Sequence, residues 1–207
     1  MDSGAFSTIH LHGGYPEPPA SYARHIKKWA NEGRLLAAVA QDYMCEPVML
    51  ARTGLSIIEH QKLTIERYDA LMNCDVGGVP IMPVLQGYEP HDYVRHLAAY
   101  GYKLGLRAWV GVGSVCKRNK SPASIEAVLL AILRVRPDLR LHGFGVKLTA
   151  LGSQIVQRSL YTADSMAWSY NARLLGRNPN DPGEAMAYFD KVERVAPQTS
   201  LLEMLND

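Results

Sequence analysis

Apolar residues fall into short unbroken runs, each closed by a polar residue or a glycine, and between the runs they recur at helical spacing. Leu35 to Asp42 reads as a strand buried on both faces and ending in an acid. Pro80 to Gly87 is the next strand, closed by Gln86 and Gly87. Arg107 to Ser114 ends in Gly-Val-Gly-Ser, and Leu139 to Val146 carries His142 and Gly145. Leu160, Tyr161 and Thr162 suit a buried strand that stops at Asp164 and Ser165, ahead of a helical run to Leu175. Asp164 is there either a catalytic carboxylate at a strand end or the N-cap of the next helix.

Between the strands, helical spacing predicts a helix over 21–32, capped by Ser21, with Tyr22, Ile26 and Trp29 in its core face. Further helices are expected at about 57–74, 92–101, 124–136 and 184–195, with a short helix or turn at 151–159. Prolines and glycines mark His10 to Pro19 and Arg177 to Gly183 as loops. The alternation predicts an α/β fold built of βα units. An open doubly wound sheet and a (β/α) TIM-type barrel both fit that alternation. The barrel is preferred, because polar or glycine residues close nearly every strand and a barrel gathers all strand ends at one mouth. About six units are recognisable where a full barrel has about eight. Asp2 has almost no strand ahead of it, so the barrel is expected to be shortened at its N-terminus. The expected domain is a single barrel-like unit over 1–207, with 176–207 a C-terminal helical tail.

The 207 residues carry a net charge of +2, which does not by itself point to nucleic acid. Lys117, Arg118 and Lys120 form the densest basic cluster, read as a DNA-backbone contact or as a solvated loop. Cys45, Cys74 and Cys116 are widely spaced and form no Cys-x-x-Cys pair, which speaks against a Cys-rich zinc site and a disulfide framework. Cys45 and Cys116 are expected as small buried fillers, Trp29 and Trp109 as core, and His142 as a hydrogen-bonded rim residue. No apolar run is long enough to span a bilayer and no signal peptide is evident, so the expected location is the cytoplasm, a host's if the chain is phage-encoded.

In a barrel, Asp2, Asp42 and Asp164 would share one pocket with Gln86 beside them. Crowding and burial raise some carboxyl pKa values and leave others ionised, which separates a nucleophile from proton-relaying groups. Gln86 offers a donor and an acceptor for the edge of a flat heterocycle. Gly87, Gly111 and Gly113 would let a ring approach the backbone. Tyr43, Tyr88 and Trp168 are candidate stacking partners.

The strand ends also carry a resemblance. Asp2-Ser-Gly-Ala-Phe-Ser, Val84-Leu-Gln-Gly87 and Gly111-Val-Gly-Ser114 resemble motifs of the tRNA-guanine transglycosylases, and Asp164 falls where their nucleophilic aspartate falls. The runs Gln41 to Pro47, Gly111 to Arg118, Leu141 to Lys147 and Ala163 to Trp168 are similar to one branch, the DNA-modifying 7-deazaguanine transglycosylases of the DpdA type, from phages and bacteria. That resemblance runs from Asp2 to about Arg173. It implies a (β/α) barrel, no cofactor, and exchange of guanine in DNA for a free 7-deazaguanine base such as preQ0. Asp164 would attack C1′ and Asp2 would act as acid and base. Asp42, Gln86 with Gly87, and Gly113 with Ser114 would hold the purine. The cysteine cluster that binds zinc in the tRNA enzymes after the nucleophile has no counterpart here, which fits DNA over tRNA. The barrel segments that precede Asp-Ser-Gly in the family are also missing, so a partner chain, a second copy or a rearranged barrel is expected to close the gap, the alternative being an inactive protein.

Two alternatives come from the same residues. His10-Leu-His12 resembles the first ligand pair of metal-dependent amidohydrolases, with His142, Lys147 and Asp164 as later ligands. A non-catalytic DNA-binding barrel subunit is the other.

Overall fold

The structure, a computed structural model, describes residues 1–116 and 121–196. The elements run α1 (Ala5–His12), α2 (Pro19–Glu32), β1 (Ala38–Val39), α3 (Pro47–Thr53), α4 (Ile57–Met72), β2 (Ile81–Met82), β3 (Val84–Leu85), α5 (Pro90–Tyr100), β4 (Trp109–Val112), α6 (Pro122–Val135), β5 (Arg140–Gly143), α7 (Leu148–Leu151), α8 (Gln154–Ser159), β6 (Thr162–Ala163), α9 (Ala167–Leu174) and α10 (Pro182–Val195). All strand pairs are parallel, with β1 beside β2, and β3, β4, β5 and β6 side by side in that order. This is the α/β alternation that the sequence predicts. The order is strictly sequential and has no reversal of the doubly wound kind.

Strand pairing is shorter than the apolar runs. Pro83 divides one expected strand into β2 and β3, because proline brings no N–H to the ladder. The chain start adds to the β1 edge: the Met1 amino group donates to Ala37 O at 2.7 Å and Val39 N donates to Met1 O at 2.9 Å. Asp2 therefore does follow a short paired segment.

Alternation sends the strand side chains to two sides. Leu85, Val110, Val112 and Leu141 face the helices, where Tyr93, Leu97, Tyr100, Ile125, Leu129, Ile132 and Val156 complete the main core. Each such side chain, fully buried, contributes roughly 1.5–3 kcal/mol. Helices α2, α4, α5, α6 and α8 pack each against the next. The register row Val84, Gly111, His142 and Thr162 lies on the other face. A smaller apolar cluster of Val39, Met82 and Val84, with Trp109 and Phe144 against it, covers part of that face.

Several local expectations need correction. Residues 10–12 belong to helix α1, which runs between Gly4 at φ 70° and Gly13 at φ 73° and buries Ala5 and Ile9, four positions apart. Helix α3 was not legible either. Both are short, and α3 starts on proline, as do α2, α5, α6 and α10. Pro18 holds the N-cap of α2, and Ser21 instead donates to Glu17. Trp29 is 57% exposed and Tyr161 53% exposed, so neither is core; β6 begins one residue after Tyr161. The tail beyond residue 196 lies outside the described residues.

Candidate active site

Burial builds the first half of the site. Directly after β1 the chain runs through Ala40, Gln41, Asp42, Tyr43, Met44, Cys45 and Glu46, all buried. Gln86, just after β3, is fully buried and every polar group of it is engaged. Its N–H donates to His96 Nδ1 at 2.8 Å, and its C=O accepts from Gln61 Nε2 at 2.7 Å. Its side-chain Nε2 donates to Asp42 Oδ2. Its Oε1 accepts from Ser114 Oγ at 2.7 Å. Ser114 Oγ also lies 3.0 Å from Glu46 Oε2 and accepts from Cys45 N at 3.0 Å. Ser114 holds this place with φ at 57°, a conformation rare for a residue with a side chain.

The carboxyl of Asp42 is shifted up to about 7. Burial is the main cause. The Gln86 amide lowers it, while Asp2 and Glu46 raise it as like charges. A carboxyl that titrates near neutrality can either donate to or accept from the edge of a bound base. Asp2 itself is exposed, and it acts on Asp42 electrostatically. Tyr15, in the loop after α1, donates to Asp42 O at 3.0 Å and lies under the Arg67 guanidinium at 4.3 Å, while Arg67 holds Gln41 Oε1.

The glycines serve the chain's own side chains. A Cβ on Gly113 would sit 2.1 Å from Gln86 Nε2, one on Gly111 2.3 Å from the Phe144 ring, and one on Gly87 2.7 Å from Asp92 Cβ. The space expected for a ligand ring at Gly111 is filled by Phe144. The Gly113 backbone is committed as well: its N–H donates to Leu85 O at 2.9 Å and its C=O accepts from Tyr93 Oη at 2.8 Å. Tyr43 is buried and packs edge-on against Tyr15 and His60, so it is not an open stacking platform.

The second half of the site surrounds Asp164, at the end of β6. Its N–H donates to Gly143 O at 3.2 Å, and Gly145 N–H donates to its Oδ1 at 2.5 Å. His142 Nε2 stands 3.8 Å from its Oδ2. Desolvation pulls this carboxyl up, but His142 and the Gly145 N–H together outweigh it and leave the pKa below the usual carboxylate value. The side chain is still 57% exposed. At the start of helix α9 the Ser165 hydroxyl accepts from Ala167 N at 3.3 Å, and Met166 rather than Asp164 holds the N-cap position. A groove of about 780 Å³ opens beside Asp164, lined by Tyr161, Trp168, Tyr188 and Phe189 among others. Among the described residues no hydrogen bond or ion pair joins Asp164 to Asp2 or Asp42; β4 and β5 lie between the two halves.

His10 and His12 are exposed on α1 and do not end a strand. Among the described residues no three His, Cys, Asp or Glu side chains come together as a metal site would require. Lys117, Arg118 and Lys120 lie outside the described residues. Sequence reasoning gave no role to Glu46, Tyr15 or Thr162 and took His142 for a rim residue. Glu46 precedes Pro47 as any helix-capping acid would, and the bond from Trp109 to Thr162 spans 53 positions and leaves no local signal.

Residues 1–187 match the family model named DpdA, DeoxyPurine in DNA protein A. The chain belongs to the DpdA family. No curated protein matches it significantly. The DpdA match covers both halves of the site, from Asp2 to Asp164, together with α9, and the family's description concerns deoxypurines in DNA. Among the described residues no helix is long and apolar enough to cross a membrane.

Proposed function

We propose that the protein exchanges guanine in DNA for a free 7-deazaguanine base through a covalent glycosyl ester on Asp164. The observation that carries this reading is the carboxylate of Asp164, held in its ionised form at a strand end and open to solvent. An ionised carboxylate can displace a purine from C1′. The C1′–N9 bond breaks with its electron pair leaving on the purine, which takes a proton, while C1′ bonds to an Asp164 oxygen. The incoming base then attacks C1′, the pair returns to the carboxylate, and the base gives up its own N9 proton. We assign the proton transfers to Asp2. Asp42 receives the purine edge, with Gln86 and Ser114 fixing its orientation from behind. Gly87 and Gly113 contribute by leaving room for the buried side chains that hold this arrangement.

The sequential parallel strands and the row of mutually packed helices support a barrel-like sheet, with strand ends on one rim. A second copy or a partner chain is the natural way to cover the sheet edges beyond the short Met1 segment and β6. The target nucleotide must leave the stack, at roughly a few kcal/mol in a duplex.

The test incubates the protein with guanine-containing DNA and labelled preQ0, with Asp164→Asn as control and tRNA as competitor. Label is expected in DNA with the parent protein and not with the variant. Label in tRNA alone, or equal incorporation by the variant, would reject the proposal.

A further inference from the structure

Asp164 has a neighbour that the proposed reaction has not yet used. His142 and Thr162 are register partners on β5 and β6, and His142 Nδ1 lies 2.9 Å from Thr162 Oγ1. The Trp109 indole, which can only donate, reaches the same oxygen at 2.9 Å. Thr162 Oγ1 therefore accepts from Trp109. Its own proton needs an acceptor, and His142 Nδ1 is its other hydrogen-bond partner among the described residues. In the alternative, His142 Nδ1 also donates to Thr162 and the hydroxyl proton turns out toward the groove that Thr162 lines. With the hydroxyl proton kept inside the Trp109–Thr162–His142 chain, the proton of the neutral imidazole lies on Nε2, the nitrogen that faces Asp164 Oδ2 at 3.8 Å. The ring is held in place edge-on against Phe144 at 4.6 Å and Trp109 at 6.2 Å, and only 12% of its side chain is exposed.

We infer that His142 is a positioning residue for Asp164: Trp109 and Thr162 fix its tautomer so that Nε2–H favours the free carboxylate over the glycosyl ester. This rests on the base-exchange reading. Gly145 N–H holds Oδ1 and His142 attends Oδ2, so the carboxylate cannot rotate freely. Negative charge on Asp164 disappears when the ester forms and returns when the incoming base breaks it. A donor beside Oδ2 stabilises the charged state at both ends of the cycle and keeps the covalent complex from accumulating. The contact is longer than a hydrogen bond here and needs to close by under an ångström to become one.

Two measurements test this. Long-range proton–nitrogen NMR of the intact protein is expected to show His142 as the Nε2–H tautomer, with its Nε2 resonance moving in Asp164→Asn. An Nδ1–H tautomer, or a resonance indifferent to that substitution, overturns the inference whatever the protein's activity. In the exchange assay, His142→Leu is expected to raise the ratio of covalent protein–DNA complex to free protein by roughly tenfold, the size of a bond to a charged group. His142→Gln, which can offer an N–H near the same place, should restore most of it. A merely structural role would lower adduct and exchange together in both variants, and that result, or an unchanged ratio, also overturns the inference. Absence of exchange in the parent protein is instead the failure of the base-exchange reading, and the NMR result then decides the tautomer by itself.

Discussion

The side-chain amide of Gln86 donates to the carboxylate of Asp42, forty-four positions earlier, and both groups are buried. This bond is the hinge of the first half of the site. It lowers a carboxyl that burial and the neighbouring acids push up, and the balance leaves Asp42 near 7. The fold thus holds the Asp42 proton more tightly than the unfolded chain does. Stability from this group is fully present below the ordinary carboxylate range of about 4 and is lost as pH rises toward about 7. Asp42→Asn should remove that loss, of order 2–4 kcal/mol, so the variant gains on its parent as pH climbs from about 4 to 8. Urea unfolding across that range measures the difference directly. A constant difference would show that Asp42 does not titrate there. The exchange rate of the parent should show a limb near neutrality that the variant lacks.

Gly113 is the packing counterpart of that bond. An added methyl would overlap Gln86 Nε2 and Cδ, at 2.1 and 2.5 Å, and Gln86 is tied to His96, Gln61, Asp42 and Ser114. Gly113→Ala should therefore cost about 1–3 kcal/mol, read as a lower urea midpoint. It should also displace the amide from Asp42 and move that carboxyl further up. Gly33→Ala is the control: the backbone there is extended and nothing lies within 4 Å, so its effect should stay within about 0.5 kcal/mol. Equal effects of the two substitutions would show that the Gln86 side chain can move aside.

The βα alternation and the strand ends were legible because both come from local patterns. Asp42, Gln86, Ser114 and Asp164 each terminate an apolar run, and the structure puts each just past a strand. What the patterns could not carry was contact across distance. The glycines at 87, 111 and 113 looked like open floor for a ring, yet Asp92, Phe144 and Gln86 occupy those spaces. A glycine records only that something comes close, not what. Helix α1 was hidden because its apolar face needs just two buried residues, Ala5 and Ile9, and the Gly/Pro loop after it dominates the local signal. The apolar run Pro80 to Gly87 predicts one continuous strand, but the missing N–H of Pro83 breaks the ladder there.

Asp164→Asn should separate chemistry from folding. More than half of the side chain is exposed, so solvent screens its charge and the loss of stability should stay within about 1 kcal/mol. Its pKa is depressed, so the stability it gives is present above the ordinary carboxylate range and is lost as pH falls through its folded value. The variant should match its parent most closely in acid. Base exchange and the denaturation-resistant DNA complex should both vanish. A variant that folds and still forms that complex would move the nucleophile elsewhere, with Asp2 the next acid to substitute.

The basic cluster supplies a prediction that depends on sequence position and charge alone. Lys117, Arg118 and Lys120 directly follow Cys116 in sequence, the densest run of basic residues in the chain. The net charge of +2 is too small for nonspecific attraction by the whole surface to dominate. If these side chains contact DNA phosphates, each neutralised contact releases counterions. The slope of log affinity against log salt then falls by about 0.9 per contact on duplex and about 0.7 on single strands. Replacing all three by glutamine should flatten the slope by roughly 2–3 on duplex DNA and weaken binding at low salt without changing which base is exchanged. Fluorescence anisotropy of labelled DNA at several salt concentrations gives both quantities. An unchanged slope would assign the cluster to a solvated loop, and the search for the DNA path would turn to the exposed residues around the groove beside Asp164.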